Sequence, residues 1–227
     1  MKKLTLISML VLLCTGMAFA QVNNLDWKYN FGGMEHNFFK GITNTNDGGF
    51  VAVGASSRYS FGYGDWTGIP AKYMTVVYNA SIVKFGTTGS IIWKKNFGGW
   101  YTDYFNKVIT TDDGGFVAVG YSSISIMGNA DWSGLFGCNG LNATIVKYDS
   151  NGNLLWRKAF GGNVTGGLSS DYFNSIVSTS TGDLIAVGYS NAQSFNNGTW
   201  TGISSKGQQD ATVIKFDSNG NIIWKKR

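Results

Sequence analysis

Six side chains have the types and spacing to form a ligand site. Trp66, Trp132 and Trp200 recur at intervals of 66 and 68 residues, and Trp100, Tyr101 and Asp103 follow the second of three FGG tripeptides. Aromatic platforms beside Asp or Asn suit saccharides, whose rings offer apolar C–H faces for stacking and hydroxyls for hydrogen bonding. Recurrence once per repeat is equally the behaviour of packing residues, so both readings stand for the three periodic tryptophans. Trp100 has no counterpart, because Met34 and Asn163 follow FGG in the other repeats.

No catalytic residue is assigned. Glycoside hydrolysis takes two carboxylates a fixed distance apart with separated pKa values, and Glu35 is the single Glu of the chain. Asp65 and Asp131 could pair, but Thr199 replaces the acid in the third repeat; Asp103, Asp171 and Asn37 hold equivalent positions where an Asx side chain can shape a turn. His36 is the sole His, which excludes a His-rich metal centre. The D-x-N-x-N strings at Asp149–Asn153 and Asp217–Asn221 have alternating oxygen ligands but lack the downstream Glu of a Ca²⁺ loop, and SNGN is a turn signal in its own right. No metal and no cofactor are therefore assigned. Lys94, Lys95, Arg157, Lys158, Lys225 and Lys226 recur on one strand of each unit, where charge guards a sheet edge.

Composition bounds the elements that must position these groups. The 227 residues include 32 Gly, 15% aromatic side chains and one Pro, which disfavours both disorder and long helices and leaves a turn-rich all-β chain. Residues 1–20, with Lys2 and Lys3 ahead of an apolar run and Ala18-Phe19-Ala20 at its end, read as a cleaved signal peptide. The expected location is extracytoplasmic, at the cell surface or secreted, with no membrane span after cleavage. Removing Lys2 and Lys3 from the 18 basic residues leaves 16 against 13 acidic ones, a net charge of +3. The basic residues are dispersed, so no nucleic-acid partner is expected. Cys138 is then the only thiol, and it serves either as a buried group or as an intermolecular bridge.

Self-comparison aligns WKYNFGG at Trp27, WKKNFGG at Trp93, WRKAFGG at Trp156 and a terminal WKKR at Trp224. The repeats run over about 27–92, 93–155 and 156–227, within a domain spanning 21–227. Each reads as four short strands, a to d. In the second they fall near Phe105–Thr111, Phe116–Ser122, Ala143–Tyr148 and Asn153–Ala159, with tight turns joining a to b and c to d and a long loop joining b to c. Strand b, as in Phe116-Val117-Ala118-Val119, is apolar without alternation. Both of its faces must be covered, which calls for sheets stacked on sheets.

The blocks W-x-K-x-FGG, D-Y-F-N, DGGFVAVG and IVK-[FY]-DSNGN-[LI]-[LI]-W resemble the repeats of secreted bacterial β-propellers, the seven-bladed repeat family and its relatives. That resemblance implies four-stranded antiparallel blades. Here there are three blades and one extra N-terminal strand, an arc and not a ring, so further repeats or self-association are expected to cover the end blades. A threefold lectin of β-trefoil type is the alternative fold. The expected function is a non-catalytic binding or scaffold module, with a polysaccharide or cell-surface glycan as partner and the aromatic long-loop face as its site. A carbohydrate-active hydrolase or lyase using loop-face Asp residues is the alternative.

Overall fold

A computed structural model describes residues 28–72, 78–123, 130–135, 140–162 and 169–227. The signal sequence, Trp27, Cys138 and Asn163 lie outside the described residues. The chain is all-β. Among the described residues twelve strands follow one another as β1 (Asn37–Asn44), β2 (Phe50–Ser57), β3 (Tyr78–Phe85), β4 (Ile91–Phe97), β5 (Asp103–Thr110), β6 (Phe116–Ser122), β7 (Gly140–Tyr148), β8 (Leu154–Phe160), β9 (Ser169–Ser178), β10 (Leu184–Asn191), β11 (Gln209–Phe216) and β12 (Ile222–Lys226). They form a four-stranded sheet, β1-β2-β3-β4, and an eight-stranded one. The larger sheet consists of two further antiparallel meanders, β5 to β8 and β9 to β12, joined only by a two-residue parallel pairing of Gly140 with Ser169 and Leu141 with Ser170; β1 to β4 and these two meanders are called the first, second and third sheets below. Neither sheet closes into a barrel. The second-repeat strands fall within a few residues of where the sequence blocks place them.

The tight turns explain the Asp and Gly of the repeats. Gly48, Gly114 and Gly182 have φ of +82°, +75° and +79° in the turns from β1 to β2, β5 to β6 and β9 to β10, a region an L side chain enters only at a cost. The neighbouring acids Asp47, Asp113 and Asp183 receive Lys84, Lys147 and Lys215 from the third strand of their own sheets. The Lys of each IVKF-type block is therefore a tie between strand and turn. In the D-x-N-x-N turns, Asp149 Oδ1 accepts the N–H groups of Asn151 and Asn153 at 2.9 and 2.7 Å while Oδ2 accepts Asn153 Nδ2 at 2.8 Å. Asp217 repeats the pattern with Asn219 and Asn221. These carboxylates are occupied as turn caps.

Strand b is buried on both faces in the first two repeats, as β2 and β6, and on one face in the third, as β10, and the core is correspondingly layered. Val51, Val53, Ile82 and Phe97 of the first sheet interleave with Phe105, Val108, Phe116, Ala118 and Val146 of the second. Val117, Val119, Ile145 and Phe160 turn the other way, onto Phe173, Ile176, Leu184, Ala186 and Ile214 of the third. Residues alternate in side but not in polarity, because each side meets a sheet. On its far side the first sheet carries a smaller cluster of Ala52, Val83 and Phe85 with Phe31 and Phe50 packed against it.

The last Gly of each DGGFVAVG-type block has a specific task. A Cβ built on Gly54, Gly120 or Gly188 would lie 1.9, 1.9 or 1.7 Å from the carbonyl oxygen of Phe38, Tyr104 or Tyr172, where the first strand slips register against the second. The bulged first strand presses its backbone onto this position, and only hydrogen fits. Gly120→Ala is accordingly expected to cost about 1–3 kcal/mol in urea unfolding, as overpacking of a buried site does. The same substitution at exposed Gly62, which has nothing within 4 Å despite a φ of +87°, should cost less.

Candidate functional site

The starts of strands a and c, the ends of strands b and d and the long loops gather at one end of each sheet, and the periodic tryptophans lie there. A one-turn 3-10 helix, Gly64–Trp66 in the first repeat, Ala130–Trp132 in the second and Gly198–Trp200 in the third, directs each indole inward. Trp66, Trp132 and Trp200 are fully buried, and so is Asp103. Their expected role as a ligand platform gives way to the packing reading: the protein's own atoms cover both ring faces. Trp132 Nε1 donates to Asp103 Oδ1 at 2.8 Å, Trp200 Nε1 to Asp171 Oδ1 at 2.9 Å and Trp66 Nε1 to Asn37 Oδ1 at 3.1 Å. Each is a buried Trp–Asx clasp that satisfies the indole N–H.

The same clasp binds the strand arriving from the preceding repeat. Phe97 meets Trp132 edge-on with ring centroids 4.8 Å apart, as Phe31 meets Trp66 at 5.1 Å. The Gly98 N–H donates to Asp131 Oδ2 at 3.0 Å and the Asp131 N–H to the Gly98 carbonyl at 3.2 Å. Gly32 with Asp65 and Gly161 with Thr199 repeat both bonds. Thr199 thus keeps the hydrogen bond of the acid it replaces, which identifies the position as a backbone anchor. The basic residue after the strand-d Trp has a structural task too: Lys94, Arg157 and Lys225 donate to carbonyls of Asp65 and Thr67, Ser133 and Thr199 in their own sheets.

Burial pushes the Asp103 carboxyl up to about 7, against the donors Ser122, Trp132 and Gly99 and with a small push from Asp131. Burial likewise raises Asp171 over the bonds from Ser190, Ser194, Trp200 and Gly162. A raised carboxyl is a property of general acids, but both groups are enclosed and committed to Trp and backbone donors.

What this end of the molecule does expose is aromatic. Trp100 and Tyr101 are 42% and 41% exposed in the connection from β4 to β5. Beyond them runs a row that the sequence reading did not assemble. Phe38 lies against Tyr104 (5.8 Å, 17°), Tyr104 against Tyr121 (5.0 Å, 17°), Tyr121 against Tyr172 (4.8 Å, 63°) and Tyr172 against Tyr189 (4.6 Å, 24°), so that five half-buried rings cross all three sheets. Lys40 Nζ sits 4.7 Å from the Tyr104 centroid and 3.3 Å from Asn106 Oδ1, within cation–π reach. Partial desolvation lowers the Lys40 pKa and raises those of Tyr121 and Tyr172. The available signal was positional, a Tyr after each repeat Asp and another after the Gly of strand b, but only the register of a with b joins them.

Among the described residues, no cluster of His, Cys, Asp and Glu suits a metal ion, and no helix is long and apolar enough to cross a membrane. The chain matches no protein-family model and no curated protein. Among solved structures it is similar to a crystal structure, at 1.35 Å resolution, of a protein of unknown function from Bacteroides caccae, with 12% identity over 88% of this chain and 84% of that one and a TM-score of 0.24, a likeness too slight to argue from.

Proposed function

We propose that the protein is a secreted, non-catalytic binding module built of β-propeller-type blades, which takes a glycan on the exposed aromatics of its long-loop end. The observation that carries this reading is the row from Phe38 to Tyr189 with Lys40 over Tyr104. Its phenol edges, and the exposed Trp100 and Tyr101 of the β4 to β5 connection, offer apolar surface and hydroxyl tips together, the combination a sugar ring uses. Face-to-face stacking of the meanders, with strand b covered on both sides in the first two, favours blades over the threefold trefoil. The hydrolase or lyase reading is weaker, because Asp65, Asp103, Asp131 and Asp171 are each engaged by backbone or indole donors.

The test is a glycan array of neutral and acidic polysaccharides, followed by titration of whatever binds and an activity screen on the same preparation. Trp100→Ala and Tyr101→Ala are expected to weaken binding roughly tenfold, in keeping with loss of about 1–2 kcal/mol at an exposed stacking contact, with unchanged melting temperature. Unaltered affinity in both variants would remove these residues from the site. Turnover abolished by Asp131→Asn would favour the enzyme.

A further inference from the structure

The interface between consecutive sheets is made twice within the chain, and each end of the molecule presents one unpaired half of it. On the first sheet the free half is a head. Phe39 and Ile42 are 40% and 58% exposed, whereas their equivalents Phe105 and Val108 are 1% and 0% exposed, and Phe173 and Ile176 both 1%. A cavity of about 580 Å³ opens beside them, walled by Tyr29, Phe31, Phe50 and Phe85. On the third sheet the free half is a tail. Val187 is 40% exposed where Val53 and Val119 are 0%, Val177 is 55% exposed beside it, and Trp224 is 37% exposed.

We infer that the tail of one molecule docks on the head of a second copy, extending the sheet-on-sheet stacking from chain to chain. The internal junctions specify the contacts. Lys40 donates to Asn106 Oδ1, and Asn106 Nδ2 donates to the Phe173 carbonyl at 2.9 Å; the next member of that series is Asn174, exposed on the tail, facing the Phe39 carbonyl of the second copy. Trp93 covers Gly152 and Trp156 covers Gly220. Trp224 is the next in line, and Gly89 of the second copy is its counterpart. Residues 28–33 already lie where the fourth strand of a preceding sheet belongs, since Phe31 takes the place of Phe97. Docking therefore sets residues 28–30 of the receiving copy against 225–227 of the docking one, and one of these surface segments yields. The contact joins two different faces, so it is heterologous and builds a ring where the rotation closes or a filament where it does not.

The experiment is sedimentation of the purified chain at tens of micromolar under reducing conditions, which removes any Cys138 bridge. The chain is expected to sediment as a dimer or larger. Ile42→Glu removes the head and Val187→Glu the tail, with Trp224→Glu as a second tail variant should Val187→Glu lose its circular dichroism signature. Each alone is expected to be monomeric, and an equal mixture of a head and a tail variant to give a one-to-one dimer, because one good head and one good tail remain. A monomeric parent chain overturns the inference. So does association that survives both substitutions, or a mixture that stays monomeric, which would mean a face paired with itself.

Discussion

Trp132→Ala is expected to cause the largest loss of stability of any substitution at the long-loop end. The indole is 2% exposed, stands edge-on to Phe97 and fills the layer between the first and second sheets. Deleting a buried aromatic of this size costs about 3–5 kcal/mol. The Asp103 carboxyl also loses the donor at 2.8 Å, although Oδ1 keeps Ser122 Oγ, and one lost hydrogen bond of this kind adds about 0.5–1.5 kcal/mol. Against a total stability of about 5–15 kcal/mol for a domain, the variant should unfold in low urea or fail to accumulate. Trp132→Phe keeps most of the ring volume and should recover a large part of the loss, leaving the hydrogen-bond deficit. Trp156, half-buried over Gly220, should fall between. Trp100→Ala, at an exposed position, should remain within about 0.5 kcal/mol of the parent chain. Urea unfolding followed by fluorescence separates the cases; equal midpoints for Trp132→Ala and Trp100→Ala would refute the buried clasp.

That ordering departs from the reading of Trp132 as a ligand-facing loop aromatic. The difference shows what a repeat sequence reveals and what it conceals. Strand b was legible because an unbroken apolar run has one physical explanation, burial on both faces; the turns were legible because Asp, Asn and Gly at those spacings have few other uses. The long b to c loops repeat their tryptophan but carry no strand alternation to show which way it faces, so it could belong to solvent or to core. The decisive fact is the 3-10 turn that folds Trp66, Trp132 and Trp200 back over their own sheets to reach Asn37, Asp103 and Asp171, a contact across 29 residues that no local pattern encodes. Thr199 could have pointed to it: an acid exchangeable for Thr is doing what Thr can do, accepting from a backbone N–H, and not transferring a proton. The tyrosine row is hidden for the converse reason, since Tyr104 and Tyr121 become neighbours only when the strands pair.

The buried acids also give the protein a pH dependence of unusual sign. A carboxyl held at about 7 in the fold and near 4 in the unfolded chain binds more protons folded than unfolded between those values. Stability contributed by Asp103 is thus present at about pH 4–5 and is lost as pH rises toward 7, on the order of a few kcal/mol in all. Asp171 is shifted in the same direction by the same cause and steepens the slope. Asp113, held down to about 2 against its partial burial by Lys147, Thr111 and Gly115, works oppositely: its contribution is present above about pH 4 and is lost as pH falls toward 2, because the unfolded chain's carboxyl takes up its proton first. Melting temperatures should therefore peak near pH 4 and decline toward pH 8. Asp103→Asn flattens the decline, because an amide carries no titrating proton. It should be less stable than the parent at pH 5, where its Nδ2 faces the Gly99 N–H that now donates to Oδ2 at 2.9 Å, and the gap should narrow by pH 8 as the parent acquires a buried charge. Parent and variant curves that stay parallel from pH 5 to pH 8 would show that Asp103 is already ionised throughout, its three donors outweighing its burial.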